Sequence, residues 1–414
     1  MQHNSATAAG PAIPAELASS FSATQATWRF FANAKVTPTA LVEPLREFAR
    51  QQIGEETPYV LAVVDWSKID YRKHKAKEDI VQLTHQYDVG YELTTQLLVD
   101  AQSGRPIAPV QSHLKTADGY LTTAQTSVPD AHRLEQVVAL MNEAQTMQFQ
   151  TKLVHVIDRE ADSVWHFRQW HNEGHLFVVR GDDRRVTWRG QSLMYREIEA
   201  QLDTEETFQS VREVTIRGKK GVQHIAETSI VLDRPATRNV NGKATLIPGE
   251  ALQLRLIIAR VYDLQTNDLL STWYVLSNVP AEVTGSQIAL WYYYRWDIES
   301  YFKLMKSGGH ELEHWQQESS LAILKRLLVA SMASATVWSL QGLDTQEAEE
   351  LKQTLAKLSG KSRKRGRPPT SGVLLSGLFV LLRIFDFLKD MNFDLAKITQ
   401  LQYTLEKLAP KLRV

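Results

Sequence analysis

The sequence predicts an α/β fold: a mixed sheet flanked by helices, interrupted by a β-rich insertion, with helical parts at both ends. Three observations carry this. Short continuous apolar runs, Tyr59 to Val64 and Leu153 to Ile157, read as buried central strands. Apolar residues at helical spacing precede or follow them, as in Ala131 to Met147. From Asp182 to Thr272 the pattern turns to alternation broken by Gly218, Gly221, Gly242 and Gly249. The 414 residues, 43% hydrophobic and 23% charged, have the balance of a soluble globular protein with room for two or three domains, which excludes the collagenous and disordered classes.

Taken in order, the first twenty residues are rich in Ala, Ser and Pro and are expected to be loose. Trp28, Phe31, Leu41, Leu45 and Phe48 then recur at helical spacing, so residues 1–55 form a small helical segment. The strand Tyr59 to Val64 ends at Asp65, and the strand Leu153 to Ile157, preceded by its helix, ends at Asp158. His175 to Arg180 reads as another strand. Residues 56–181 and 272–318 are expected to make one core, with 182–271 as the β-rich insertion, in which Val211 to Arg217 and Leu252 to Val261 alternate. After it come a strand, Trp273 to Leu276, and a long helix from about Ser286 to Lys306. Residues 319–414 form a helical C-terminal region around Ser320 to Leu340 and Val373 to Leu388, with a basic linker at 361–370. The apolar run Gly372 to Leu388 is short for a bilayer and carries Arg383 and Asp386, so it reads as a buried helix. No internal repeat is found.

Lys plus Arg and Asp plus Glu both number 47, but the charge is uneven. Leu351 to Val414 holds 13 basic against 4 acidic residues, leaving a +9 end that can meet a polyanion. With no cysteine there is no disulfide framework, thiolate zinc site or cysteine nucleophile, which suits a reducing cytoplasm. The amino terminus lacks a basic segment followed by an apolar core, so no export is expected and the protein is read as intracellular.

Two carboxylates at the ends of adjacent strands, Asp65 and Asp158, would lie side by side and offer hard oxygen ligands to divalent cations. Glu299 supplies a third. It sits in a stripe of Tyr292, Arg295, Glu299, Lys303 and Lys306, which follow one another at steps of three or four on one helical face. The plainer reading of such a stripe is a solvated face with ordinary ion pairs.

These residues resemble the DDE transposases of bacterial insertion sequences, in the group with a Tyr-Arg-Glu-Lys signature. That signature is Tyr, two residues, Arg, three residues, Glu, six residues, Lys, and Tyr292, Arg295, Glu299 and Lys306 match all four positions. Asp158-Arg159-Glu160-Ala161-Asp162 is similar to the sequence around the group's second catalytic aspartate, and Ala26 to Pro38 to part of its amino-terminal DNA-binding segment. The resemblance covers nearly the whole chain. It implies a ribonuclease-H-like core in which Asp65, Asp158 and Glu299 bind two Mg²⁺ ions, with Mn²⁺ as a substitute. The implied activity is cleavage of the element's own ends and transfer of the 3′-hydroxyls into target DNA, by a homodimer holding two double-stranded ends. The implied location is the bacterial cytoplasm, on the nucleoid when bound, with no membrane partner.

The resemblance also implies phosphate contacts for Arg295 and Lys306, a phosphate hydrogen bond for Tyr292, and a weaker phosphate role for Lys303. Some members cut through a DNA hairpin, with an unstacked base resting on an aromatic ring. Trp273 stands where relatives place that ring, and a core tryptophan is the alternative. The segment before Asp65 lacks the basic helix of longer relatives. Recognition of the ends then rests on Arg29, Lys35, Arg46 and Arg50, or the chain is a catalytically inactive DNA-binding relic or inhibitor of the same element.

Two further motifs stand apart. Arg363 to Pro368 resembles an AT-hook, whose Arg365 and Arg367 would enter a narrow minor groove, and a solvated linker is an equal reading. His310-Glu311-Leu312-Glu313-His314 satisfies the zinc-protease pattern, but Gly308 and Gly309 break the helix before it and no third ligand follows. In relatives this stretch is extended, which would put both histidines on one side of a strand. His155, beside Asp158, is read as structural or solvent-facing.

Overall fold

The structure, a computed structural model, describes residues 18–54, 57–125, 133–240, 243–361 and 367–390, with 392–394, 396 and 399 beyond them. The chain divides into two compact units, one of Lys35–Phe302 with Glu318–Leu328, the other of Met1–Ala34, Lys303–Gln317 and Val329–Val414. In chain order the described elements begin with helix α1 (Ala18–Ala32), which belongs to the second unit, and α2 (Pro38–Gln52), which belongs to the first. Thr37 starts α2 as its N-cap, its hydroxyl accepting the Ala40 N–H at 3.1 Å, with Pro38 supplying a preset φ.

The first unit is a mixed α/β body. Its strands are β1 (Tyr59–Asp70), β2 (Val81–Gln82), β3 (Val89–Asp100), β4 (Pro106–Thr116) and β5 (Gly119–Thr122), then helix α3 (Arg133–Thr146), β6 (Lys152–Ile157), helix α4 (Val164–Asn172) and β7 (Leu176–Gly181). The predicted insertion follows as β8 (Arg185–Trp188), β9 (Gln191–Met194), helix α5 (Tyr195–Thr204), β10 (Gln209–Ile216), β11 (Lys219–Leu232), β12 (Ala236–Val240), β13 (Lys243–Ile247) and β14 (Leu252–Asp263). Strand β15 (Leu269–Ser277) leads to helices α6 (Gly285–Tyr294) and α7 (Trp296–Lys303).

One sheet of 13 strands runs in the order β5-β4-β3-β1-β6-β7-β15-β14-β11-β8-β9, with β2 on β3 and β10 on β11. Most of the insertion therefore extends the same sheet, and only β12 and β13 pair apart from it. Strands β1, β6 and β7 are parallel neighbours, with Val64 beside Ile157 and Ile157 beside Val179, while β3 and β15 flank them antiparallel. Beneath them lies a core that includes Phe167, Trp170 and Phe177, the two phenyl rings stacked at 5.3 Å.

Several expectations are corrected. Strand β1 does not end at Asp65, because residues through Asp70 keep pairing with β3, and Asp65 stands mid-strand opposite Thr95. The long helix expected from Ser286 to Lys306 is broken at Arg295, where bonds from Arg295 N to Tyr292 O and Ile298 N to Arg295 O, both 3.2 Å, tighten the turn. The strand at His310 to His314 is absent: Glu311 is left-handed at φ 51° and Leu312–His314 is a 3-10 turn. His310 is buried against Ser334 at 3.1 Å while the His314 side chain is 74% exposed, so the two do not converge on a zinc ion.

The second unit also holds the π-helical turn Leu304–Gly308 that follows α7, the later part of helix α8 (Ser320–Gln341), α9 (Gln346–Leu358) and α10 (Ser371–Asp390). The segments Ser320–Gln341 and Ser371–Lys389 are long and apolar enough to cross a membrane by length and composition, but 78% of the first is buried, as in a core helix. Helix α10, expected to be buried, is not: 22% of its apolar window is buried, and Ile384, Phe385 and Phe387 are exposed. Its N-terminal half packs because Gly377 meets α9 without a side chain, and a Cβ there would fall 1.9 Å from the Leu355 carbonyl oxygen. Gly377→Ala is expected to cost about 1–3 kcal/mol, read as a lower denaturant midpoint, and an unchanged midpoint contradicts this close approach.

Candidate active site

The register of the parallel strands builds the site. Val64 and Ile157 are paired, so the next residues, Asp65 and Asp158, sit side by side at the carboxyl ends of the paired stretches. Asp158 also caps the 3-10 turn Arg159–Ala161, its Oδ1 accepting the Arg159 N–H at 2.7 Å. Asp65 Oδ1 accepts the Trp66 N–H at 2.8 Å. These backbone bonds fix one oxygen of each carboxylate and leave the other facing the helical break.

At that break Arg295 gathers all three predicted carboxylates. Its Nη1 donates to Asp65 Oδ2 at 2.9 Å, and its Nη2 to Glu299 Oε1 at 2.7 Å, with Asp158 Oδ2 at 3.7 Å. The Tyr292 hydroxyl donates to Asp158 Oδ1 at 2.9 Å. Arg295 is 5% exposed, Asp65 19% by side chain, and Glu299 55%, so the site grades from a dry floor to an open lip.

Electrostatics follow from this arrangement. Burial pushes the Asp65 carboxyl up to about 6; Arg295 and the Trp66 N–H pull it down, while Asp158 and Glu299 push it further up. Asp158 is also raised by burial, but Arg295, the Arg159 N–H and the Tyr292 hydroxyl outweigh this and hold it below the usual range. Burial disfavours the charge on Arg295, and Tyr292 with the three carboxylates more than restores it. Burial and the neighbouring Asp158 raise Tyr292, which stays protonated and can donate. One guanidinium thus serves three acidic groups, and burial is what raises Asp65 against its pull.

The other predicted residues fall as follows. Trp273 lies within β15 and is 3% exposed, edge-on to Tyr292 at 5.7 Å and to Trp296 at 5.6 Å. It presents no open face to a base in this conformation. Tyr292 and Arg295 point inward to carboxylates, where a phosphate was expected. Lys303 and Lys306 belong to the second unit; Lys306 Nζ lies 3.6 Å from Glu313 there. Arg365 lies outside the described residues, and Arg367 is exposed. Of the end-recognition candidates, Arg29 and Lys35 are exposed. Arg46 is 3% exposed, bonded to Val110 O and Glu143, and Arg50 is paired with Glu43 and Glu47.

Sequence reasoning missed two neighbours. Arg180 follows Val179, the partner of Ile157, so it extends the Asp65–Asp158 row and acts electrostatically on both Asp158 and Tyr292. The basic residue ending a parallel strand was the available signal. Arg133, the first residue of α3, bonds Glu92 and Glu160 and lies over the Trp66 ring at 5.6 Å, tying together the segments that follow the two aspartates.

Among the described residues no group of three His, Asp or Glu side chains forms a ready-made metal site. The donor chemistry nevertheless fits a divalent cation of the Mg²⁺ type, since Asp65, Asp158 and Glu299 offer hard oxygen ligands around one point. No protein-family model matches the chain, and no curated protein matches it.

His155, three residues before Asp158, is buried and structural, and burial pushes it down to about 3, as it pushes His113 down to about 4. Both are neutral in the folded chain, whereas the unfolded chain protonates them below about 6.5. Their stabilisation is complete above that pH and falls as pH drops, by up to about 1.4 kcal/mol per unit for each. Asp65, raised by burial, acts in the opposite sense. The difference between wild-type and His113→Asn stability curves isolates the histidine: the gap should narrow between pH 7 and pH 5, and a constant gap contradicts a neutral buried His113.

Proposed function

We propose that the chain is a DNA transposase of the DDE type, a metal-dependent phosphoryl-transfer enzyme with a ribonuclease-H-like core. The reading is that it cuts the ends of its own element and joins the 3′-hydroxyls to target DNA. The observation that supports it most is the convergence of Asp65, Asp158 and Glu299, from three separate elements, on Arg295. The two aspartates stand just past the last parallel pair of β1 and β6, on the side of the sheet where open α/β sheets place their sites.

In this reading Asp65, Asp158 and Glu299 hold the cations. Two bound Mg²⁺ ions supply activation of a water or a 3′-hydroxyl and stabilisation of the leaving oxygen. The protein's own groups set the stage. Tyr292 and the Arg159 N–H fix Asp158 through Oδ1, while Asp65 is held by the Trp66 N–H through Oδ1 and by Arg295 through Oδ2. Arg295 neutralises part of the cluster in the free protein, and with cations held there its guanidinium would be available to a phosphate of the bound strand. Glu299, the most exposed of the three, would complete the ligand set. The partners are double-stranded DNA and a second copy of the chain, in the cytoplasm and on the nucleoid. Lys303, Lys306, Arg365 and Arg367 remain candidates for phosphate contact.

The test is Mg²⁺-dependent nicking of a labelled duplex carrying the ends of the encoding element. Asp158→Ala and Glu299→Gln are each expected to lower cutting by about three orders of magnitude or more, with DNA binding retained. A shifted but uncut duplex with the wild-type chain would favour a DNA-binding relic. Equal cutting by wild type and both variants would remove the carboxylates from the chemistry.

A further inference from the structure

Strand β3 carries three successive buried polar side chains, Thr94, Thr95 and Gln96, and only two of them are served by the protein. Alternate residues of a strand face opposite sides of the sheet. Thr94 and Gln96 share one side and are partnered there: the Thr94 hydroxyl donates to Gln136 Oε1 at 3.2 Å, and Gln96 Oε1 accepts from Gln111 Nε2 at 2.7 Å. Thr95 projects to the other side. It is 0% exposed, and its Oγ1 has no hydrogen-bond partner.

The register says what that hydroxyl lies beside. Thr95 is the antiparallel partner of Asp65 in β1 and of Ser112 in β4. Directly opposed residues project to the same face with Cβ atoms about 4.5–5.5 Å apart, so the Thr95 side chain neighbours the Asp65 carboxylate. This is the face from which Arg295 Nη1 bonds Asp65 Oδ2. On the same guanidinium, Arg295 Nε is likewise buried and without a partner.

A buried hydroxyl with no partner costs stability, and valine has nearly the same shape in a strand without that cost. Branching at Cβ therefore accounts for the outline of Thr95 and leaves its oxygen unexplained. A cation at Asp65 accounts for the oxygen. Cations of the Mg²⁺ type keep several water ligands, and groups that hydrogen-bond the ligand shell from behind raise affinity.

We propose that Thr95 is a positioning residue for the cation at Asp65, its hydroxyl holding a water ligand of that cation on the buried side of the carboxylate cluster. The proposal deepens and rests on the reading of Asp65, Asp158 and Glu299 as cation ligands. Thr95 touches no reacting atom and acts through the ligand shell alone.

The test reads cation binding and metal-free stability in the full chain, with no DNA and no cutting. Mn²⁺ binding is followed by electron paramagnetic resonance, and thermal unfolding is recorded in chelator, for wild type, Thr95→Val, Thr95→Ser and Asp158→Ala. Thr95→Val is expected to bind Mn²⁺ about tenfold more weakly. Its metal-free midpoint is expected to be no lower than that of wild type, because no hydrogen bond is lost. Thr95→Ser keeps the hydroxyl and is expected to bind within about twofold of wild type. Equal Mn²⁺ affinity of wild type and Thr95→Val would overturn the proposal, and a lower metal-free midpoint for that variant would then assign the hydroxyl a protein partner such as Ser112. Failure of the underlying reading has a different signature: a wild-type chain that binds no Mn²⁺, or binds it only as tightly as Asp158→Ala does, overturns the carboxylate site itself.

Discussion

The arrangement depends on one interaction: a buried guanidinium, Arg295, shared among three carboxylates. Removing a charge from water costs several kcal/mol unless partners replace the lost hydration, and Asp65, Asp158 and Glu299 are those partners. The same constraint acts in reverse. Without Arg295, three acidic groups would face one another across a partly dry floor. The raised Asp65 carboxyl reflects burial first, with Arg295 acting against it and the neighbouring Asp158 and Glu299 adding to it.

Backbone geometry delivers the groups to that point. Parallel pairing aligns Asp65 with Asp158, and pairing of Ile157 with Val179 brings Arg180 next in line. The break between α6 and α7 supplies the rest. It places Tyr292 at the end of one helix and Glu299 in the other, with Arg295 at the joint, so the stripe wraps the carboxylates rather than running past them. Aromatic packing of Trp273 against Tyr292 and Trp296 stiffens the joint. Tryptophan at that position therefore serves the shape of the site whether or not it ever meets a base.

Much of this was legible from sequence because it is local. Apolar runs marked β1, β6 and β7, a carboxylate followed two of them, and the three-to-four spacing put Tyr292, Arg295 and Glu299 together. What escaped depends on distant partners. Strand β1 runs on past Asp65 because β3 accompanies it, and β3 and β4 carry buried Thr94, Thr95, Gln96 and Gln111, which hide the usual apolar signature. The inward turn of Arg295 and Arg46 is likewise set by carboxylates and carbonyls far along the chain. Helix α10 misled for the opposite reason: an apolar run reads as buried, yet Ile384, Phe385 and Phe387 are exposed in this single chain.

The central claim is that three carboxylates from separate elements form one cation site beside Arg295. Loading the protein with Fe²⁺ in place of Mg²⁺ and adding ascorbate and peroxide tests it most directly, since iron-generated radicals cut the backbone close to the bound metal. The account predicts three clusters of cuts, near residues 65, 158 and 299, all suppressed by excess Mg²⁺ and lost in Asp158→Ala. Cuts confined to other segments, or a pattern unchanged by Asp158→Ala, would contradict it.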